Sequence, residues 1–212
     1  MKTISSLALA AALALCAFGA AAEDNVFKVG VTRYDTHSKT NGISGIGVPP
    51  GADAETNDAT TVIFAYERMF TPQIGAELVL GIPPTIRAKA TGSVAFLGSN
   101  VLSAKNLAPT LLFNYHFGEP GDTWRPSLGA GINYTKFTNV KSSLASDVKM
   151  SDSTGLAVQV GLDYAVTKDV SVFTSVAKVN VKSKVVAVGA TVLTTTIDFR
   201  PIVYSAGVSY RF

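Results

Sequence analysis

The sequence predicts an all-β protein, an eight-stranded antiparallel transmembrane β-barrel with short periplasmic turns and long extracellular loops. Three observations lead there. Eight segments alternate with period two, the signature of strands whose faces meet two different environments. The strands are about ten residues long, the length a tilted strand needs to cross a bilayer. Their connections are short at one end and long at the other.

Composition narrows the classes before any element is placed. The chain has 212 residues, 47% hydrophobic and 16% charged, with a net charge of +3. A disordered chain would be more charged and less apolar. One Cys supports neither a disulfide framework nor a Cys-based zinc site. The basic excess is too small for dense nucleic-acid binding, so no nucleic-acid partner is expected. Mean hydropathy is +0.29, yet no run of 18 apolar residues occurs after residue 22. Helical spans are therefore not expected.

Residues 1–22 read as a cleaved secretory signal peptide. Met1 and Lys2 give a positive start, Leu7 to Phe18 is an apolar run, and Ala20-Ala21-Ala22 offers a small-residue cleavage site. Cys16 is expected to leave with it. Residues 23–212 then form a single barrel domain.

The strands follow in order. Phe27, Val29 and Val31 alternate with Lys28, Gly30 and Thr32. Val62, Phe64 and Tyr66 alternate with Ile63, Ala65 and Glu67. Ile74, Ala76, Leu78 and Leu80 stand opposite Gly75, Glu77, Val79 and Gly81. The fourth strand sets Leu111, Phe113, Tyr115 and Phe117 against Leu112, Asn114 and His116. The fifth sets Leu128, Ala130, Ile132 and Tyr134 against Gly129, Gly131, Asn133 and Thr135. The sixth sets Leu156, Val158, Val160, Leu162 and Tyr164 against Gln159, Gly161 and Asp163. Val170, Val172 and Val176 face away from Ser171, Phe173 and Ser175. Tyr204, Ala206, Val208, Tyr210 and Phe212 close the series against Ser205, Gly207, Ser209 and Arg211.

Thr71-Pro72-Gln73, 118–123 and 167–169 are short turns. The segments 35–58, 82–104 and 138–153 are long, and the last connection, near 187–192, is shorter. Aromatics gather near strand ends, as an interfacial girdle requires. Lipid offers backbone groups no partner, so the sheet must close on itself. Eight strands leave an interior that side chains fill or nearly fill. The final strand carries Tyr210 and Phe212 on one face, which looks like the assembly signal of outer-membrane barrels and makes the barrel-assembly machinery an expected partner.

The chain resembles the OmpW family of small outer-membrane proteins. The stretches that carry the likeness are 27–31, 74–78 with Pro83-Pro84, 107–111, 126–135, 157–164 and the closing Gly207-Val208-Ser209-Tyr210-Arg211-Phe212. The resemblance implies integral residence in the bacterial outer membrane, a narrow, partly apolar lumen and passage of small hydrophobic molecules.

The residues suggest how. Apolar loop residues Ile82, Ile86, Phe96, Leu97, Leu144 and Met150 form a candidate substrate funnel at the outer mouth, or else pack loop against loop. Pro83 and Pro84 lack ladder donors. They either end their strand or open the wall for lateral release. Glu77, Asn114, His116, Gln159, Asp163 and Arg211, with Lys28, Glu67 and Arg125, form a candidate polar plug, because charges in a narrow lumen need partners. Lys178, Lys182 and Lys184 read as a contact for lipopolysaccharide phosphates or as a solvated rim. Outer-membrane lipids, lipopolysaccharide and a small hydrophobic substrate are the expected partners. No catalytic motif accompanies His37 or His116, so neither enzyme activity nor a cofactor is expected. A surface-interaction barrel and a small channel stay open as alternatives.

Overall fold

The structure, a computed structural model, describes residues 25–145, 147–189 and 192–212. The signal-peptide assignment therefore lies outside the described residues, as do residues 190–191 of the last connection. Among the described residues fifteen strands form. They are β1 (Asn25–Asp35), β2 (Lys39–Thr40), β3 (Ala52–Thr56), β4 (Ala59–Met69) and β5 (Ile74–Gly81). Next come β6 (Thr85–Gly92), β7 (Leu102–Leu107), β8 (Thr110–His116), β9 (Trp124–Ser142) and β10 (Asp147–Met150). Last are β11 (Ser153–Ala165), β12 (Val170–Val179), β13 (Lys182–Val188), β14 (Val192–Asp198) and β15 (Ile202–Arg211).

Eight of them close a ring in the order β1, β4, β5, β8, β9, β11, β12, β15, and every neighbour is antiparallel. These are the eight strands read from the sequence. The seam joins β1 to β15 from Val26↔Arg211 to Asp35↔Ile202. Beyond it, Phe212 donates its backbone N–H to the Asn25 carbonyl at 2.9 Å. Closure leaves no unpaired sheet edge facing an apolar medium.

The ring is inside out relative to a water-soluble core. Val31, Leu156 and Val160 are each more than half exposed on the outer wall, while Lys28, Glu67, Glu77, Asn114 and His116 are buried within it. Aromatics concentrate at the turn end: Tyr115 packs edge-on to Phe117, Trp124 lies 4.6 Å from Tyr164, and Tyr210 stacks on Phe212 at 6.0 Å.

The long connections are not loops throughout. β3, β6 and β7 extend the sheet outward along the far half of β9. A second sheet has the order β10-β13-β14-β2. These segments alternate too, but through small residues: Ile86, Ala88 and Ala90 point in and Thr85, Arg87 and Lys89 point out. Alanine gave the period little amplitude, which is why 82–104 reads as a loop. The last connection is likewise longer than the sequence implied, since the β13–β14 hairpin stands between β12 and β15. Between the two outer sheets lies an apolar core of Ile86, Leu112, Val181, Ile197 and the stacked rings of Phe137 and Phe199, 5.4 Å apart.

Candidate functional site

The alternation that buries one face of each strand brings six polar residues to one level of the lumen. Glu67 on β4 stands directly opposite Glu77 on β5. Two facing carboxylates repel, and the neighbouring strands supply what holds them. Lys28 on β1 places its Nζ 3.0 Å from Glu67 Oε2 and 3.0 Å from Glu77 Oε1. Asn114 on β8 donates its amide to Glu67 Oε1 and to Glu77 Oε2, each at 2.8 Å. Ammonium and amide thus bridge the same pair from two sides, closing a ring of four side chains. His116 Nε2 lies 2.8 Å from Glu67 Oε1, and Gln159 donates to Glu77 Oε2 at 3.3 Å. Buried charges survive only with such dense pairing.

Two further groups wedge the ring in place. The Phe173 ring fills the lumen on the loop side of Lys28, whose Nζ is 5.8 Å from its centroid. Gly30 and Gly207 make room for it: a Cβ at Gly207 would come within 2.8 Å of Phe173 Cε1.

The ring separates two chambers. Toward the loops lies a cavity lined by Tyr34, Val79, Ile86, Phe137, Val181 and Phe199. Its volume is about 90 Å³, room for several waters or a small guest. Toward the turns lies a wider vestibule of about 550 Å³, lined by Arg125, Asp163, Arg211 and the turn residues 165–169. Lys28 and Asp163 border both. Arg125 donates to the Pro72 carbonyl of the adjacent turn.

A closed eight-strand ring with polar ring groups inside is shared by many outer-membrane proteins, and sequence comparison narrows the choice. The profile of the OmpW family matches residues 21–212. The chain belongs to the OmpW family. It is similar to outer membrane protein W of Vibrio cholerae, with 28% identity over 100% of this chain and 99% of that one. It is also similar to the dibenzothiophene metabolism operon protein PahQ of Pseudomonas aeruginosa, with 31% identity over 74% of this chain and 73% of that one. Among solved structures, the outer membrane protein OprG of Pseudomonas aeruginosa superposes with a TM-score of 0.81 at 27% identity, covering 92% of this chain and 98% of that one. The protein is an integral barrel of the bacterial outer membrane, with the turn end periplasmic and the loop end extracellular.

On this OmpW-family barrel the residues read from the sequence separate. Of the plug candidates, Glu77, Asn114, His116 and Gln159 meet in the ring with Lys28 and Glu67, whereas Asp163 and Arg211 line the vestibule below it. Of the funnel candidates, Ile86 lines the upper cavity and Met150 packs against its core. The other four do not reach it. Ile82 is 55% exposed on the wall, Phe96 and Leu97 sit in a 3-10 turn at a loop tip, and Leu144 is exposed beyond β9. The apolar groups that do line the cavity include Tyr34, Phe137 and Phe199. Phe137 shares the inward parity of Asn133 and Thr135, a signal present in the sequence. Phe199 lies off any alternating run, so nothing local marked it.

Pro83 and Pro84 fall where the wall changes partners. β5 pairs with β8 from Ile74↔Tyr115 to Val79↔Thr110. Pairing resumes at Thr85↔Lys105 between β6 and β7, where Asn106 also donates to the Pro84 carbonyl at 3.0 Å. Among the described residues no ladder pair joins 80–83 to 107–109 across the intervening stretch. Gly81, Pro84, Asn106 and Ala108, at its edges, line the upper cavity. Lys182 pairs with Asp198 at 3.6 Å, and Lys178 lies opposite Ile202 on β12.

Proposed function

We propose that the barrel passes small hydrophobic molecules across the outer membrane. A guest enters the apolar upper cavity from the extracellular side, meets the charged ring, and leaves sideways into the bilayer through the unpaired stretch beside Pro83 and Pro84. The observation that carries this reading is the junction itself: an apolar chamber floored by a salt-bridged ring borders a wall interval without ladder pairs. An apolar solute gains nothing by crossing paired charges, and it gains acyl-chain contact by moving sideways. The name of PahQ, which ties that relative to the metabolism of a tricyclic aromatic thioether, supports a hydrophobic substrate.

The test is uptake of a radiolabelled tricyclic thioether by cells that lack any other OmpW-family barrel. Pro83→Val/Pro84→Val restores two backbone donors and should bring uptake down to the empty-vector level while the barrel still folds. Uptake that persists unchanged in that variant rules out the sideways route.

A second reading is a small-solute channel, favoured by the border that Lys28 and Asp163 give to both chambers. Planar-bilayer conductance separates the two: the lateral route predicts no stable single-channel steps from the wild-type chain.

A further inference from the structure

From the outer face of the β6-β7-β9 extension, we infer that this barrel carries a binding site for the phosphates of the lipopolysaccharide that surrounds it. The argument begins with register. Arg87 lies opposite Ser103, and Ser103 lies opposite Lys141, which forms one row across three strands. Two residues nearer the membrane, Lys105 lies opposite Thr85 on one side and Thr138 on the other. One step lower, Leu107 pairs with Lys136. The inward partners on these strands are Ile86, Ala88, Ala104 and Phe137, all buried. Arg87, Lys105, Lys136 and Lys141 are all exposed.

Neighbouring strands are about 4.8 Å apart and successive same-face residues about 7 Å apart. The four cations therefore share a patch roughly 10 Å wide and about 14 Å long, with Lys105 near its centre and the Ser103 hydroxyl in its upper row. Like charges this close on one sheet face repel. Among the described residues none of the four has an ion pair. The adjoining cation, Lys89, is already satisfied by Glu55 at 2.9 Å, and on the other outer sheet Lys149 and Lys182 pair with Asp147 and Asp198. Among the described residues, the acids at the margin of this face are engaged elsewhere, Glu55 by Lys89 and Asp152 by the Tyr134 hydroxyl at 2.6 Å.

Depth identifies the counter-charge. Leu107, level with Lys136, and Tyr134, one same-face step below it, are exposed on the same outer wall, where an aromatic residue marks the lipid boundary. Lys136 follows Tyr134 by two residues along β9. The patch thus stands at headgroup height in the outer leaflet. The anions held there at high density are the phosphates of lipopolysaccharide, and Arg and Lys are the side chains that recognise phosphate best. This site is separate from the lumen, so its test is independent of transport.

The experiment uses the full barrel in phosphatidylcholine nanodiscs doped with lipid A, and reads the lipid A retained after washing. Arg87→Gln/Lys105→Gln/Lys136→Gln/Lys141→Gln should retain at least about tenfold less than wild type, and raising the salt should weaken wild-type retention. Lys149→Gln/Lys182→Gln on the other sheet should retain as much as wild type. A heat-dependent gel shift checks that every variant is a folded barrel; the outward position of the four side chains leaves the ladder untouched. Equal retention by the quadruple variant overturns the inference. So does equal retention of dephosphorylated lipid A by wild type, or complete displacement by millimolar inorganic phosphate.

Discussion

Replacing Lys28 with Met removes the ammonium that sits between Glu67 and Glu77 and leaves its volume almost unchanged. Both 3.0 Å contacts are lost. The two carboxylates then face each other across β4 and β5 with only the Asn114 amide between them. Removing one partner from a buried ion pair costs about 3–5 kcal/mol, because the remaining charge is stranded. At about 1.4 kcal/mol per tenfold, that is roughly two to four powers of ten in the folding equilibrium. Guanidinium unfolding in detergent micelles can be read from the fluorescence of Trp124, the only Trp of the chain. It packs against Tyr164 at the periplasmic rim, away from the ring. Lys28→Met should unfold at far lower denaturant. Adding Glu77→Gln should recover much of the loss, since an amide can still pair with Asn114 and no longer repels Glu67. A Lys28→Met barrel within about 1 kcal/mol of wild type, or a double variant weaker than the single one, would show that the ring is not organised by its cation.

Three other outcomes follow from the same geometry. Phe173→Ala empties the space on the loop side of Lys28; it should cost about 3–5 kcal/mol and raise planar-bilayer conductance by opening a water path between the chambers. Asp58, between β3 and β4, accepts the Thr36 backbone N–H at 3.1 Å and a hydrogen bond from Arg33 at 2.9 Å, and these hold its carboxyl below the usual aspartate value. A depressed folded-state pKa adds stability above the unfolded value and loses it as pH falls through the folded one. Amide exchange at Thr36 should therefore quicken only on acidification below the ordinary aspartate range, and Asp58→Asn should abolish that dependence. Phe212→Asp should lower the yield of folded barrel in membranes while leaving refolding from urea into micelles largely intact, as measured by the heat-dependent gel shift.

The ring strands were legible because each carries a strong period-two signal with large apolar residues on one face, as in Leu156, Val158 and Val160. The polar side of the same pattern marked Glu77, Asn114, His116 and Gln159 as inward-facing. It did not say at which height each would sit, because height depends on the stagger between strands, and stagger is a tertiary property. Asp163 and Arg211 share the inward parity, yet Asp163 borders both chambers and Arg211 lies in the vestibule below. The funnel was less legible. Ile82, Phe96 and Leu97 are apolar by type, but Ile82 continues the outward face of β5 and the other two sit in the turn between β6 and β7, away from the cavity. Phe199 enters it only because the β13–β14 hairpin folds back over the rim.

β9 runs for 19 residues, pairing with β8 and β11 below and, across one bulge near Asn139, with β7 above. At about 3.3 Å per residue it is a mast of roughly 60 Å, twice the thickness of the hydrocarbon layer. The outer sheet it carries is therefore stiffly coupled to the wall, and hinging it would break rungs all along the spar. On the proposed route, admission through such an aperture would be governed by silhouette, as in a sieve with a rigid mesh, and enlarging the mesh would mean recarving side chains such as Phe137 rather than loosening a flap.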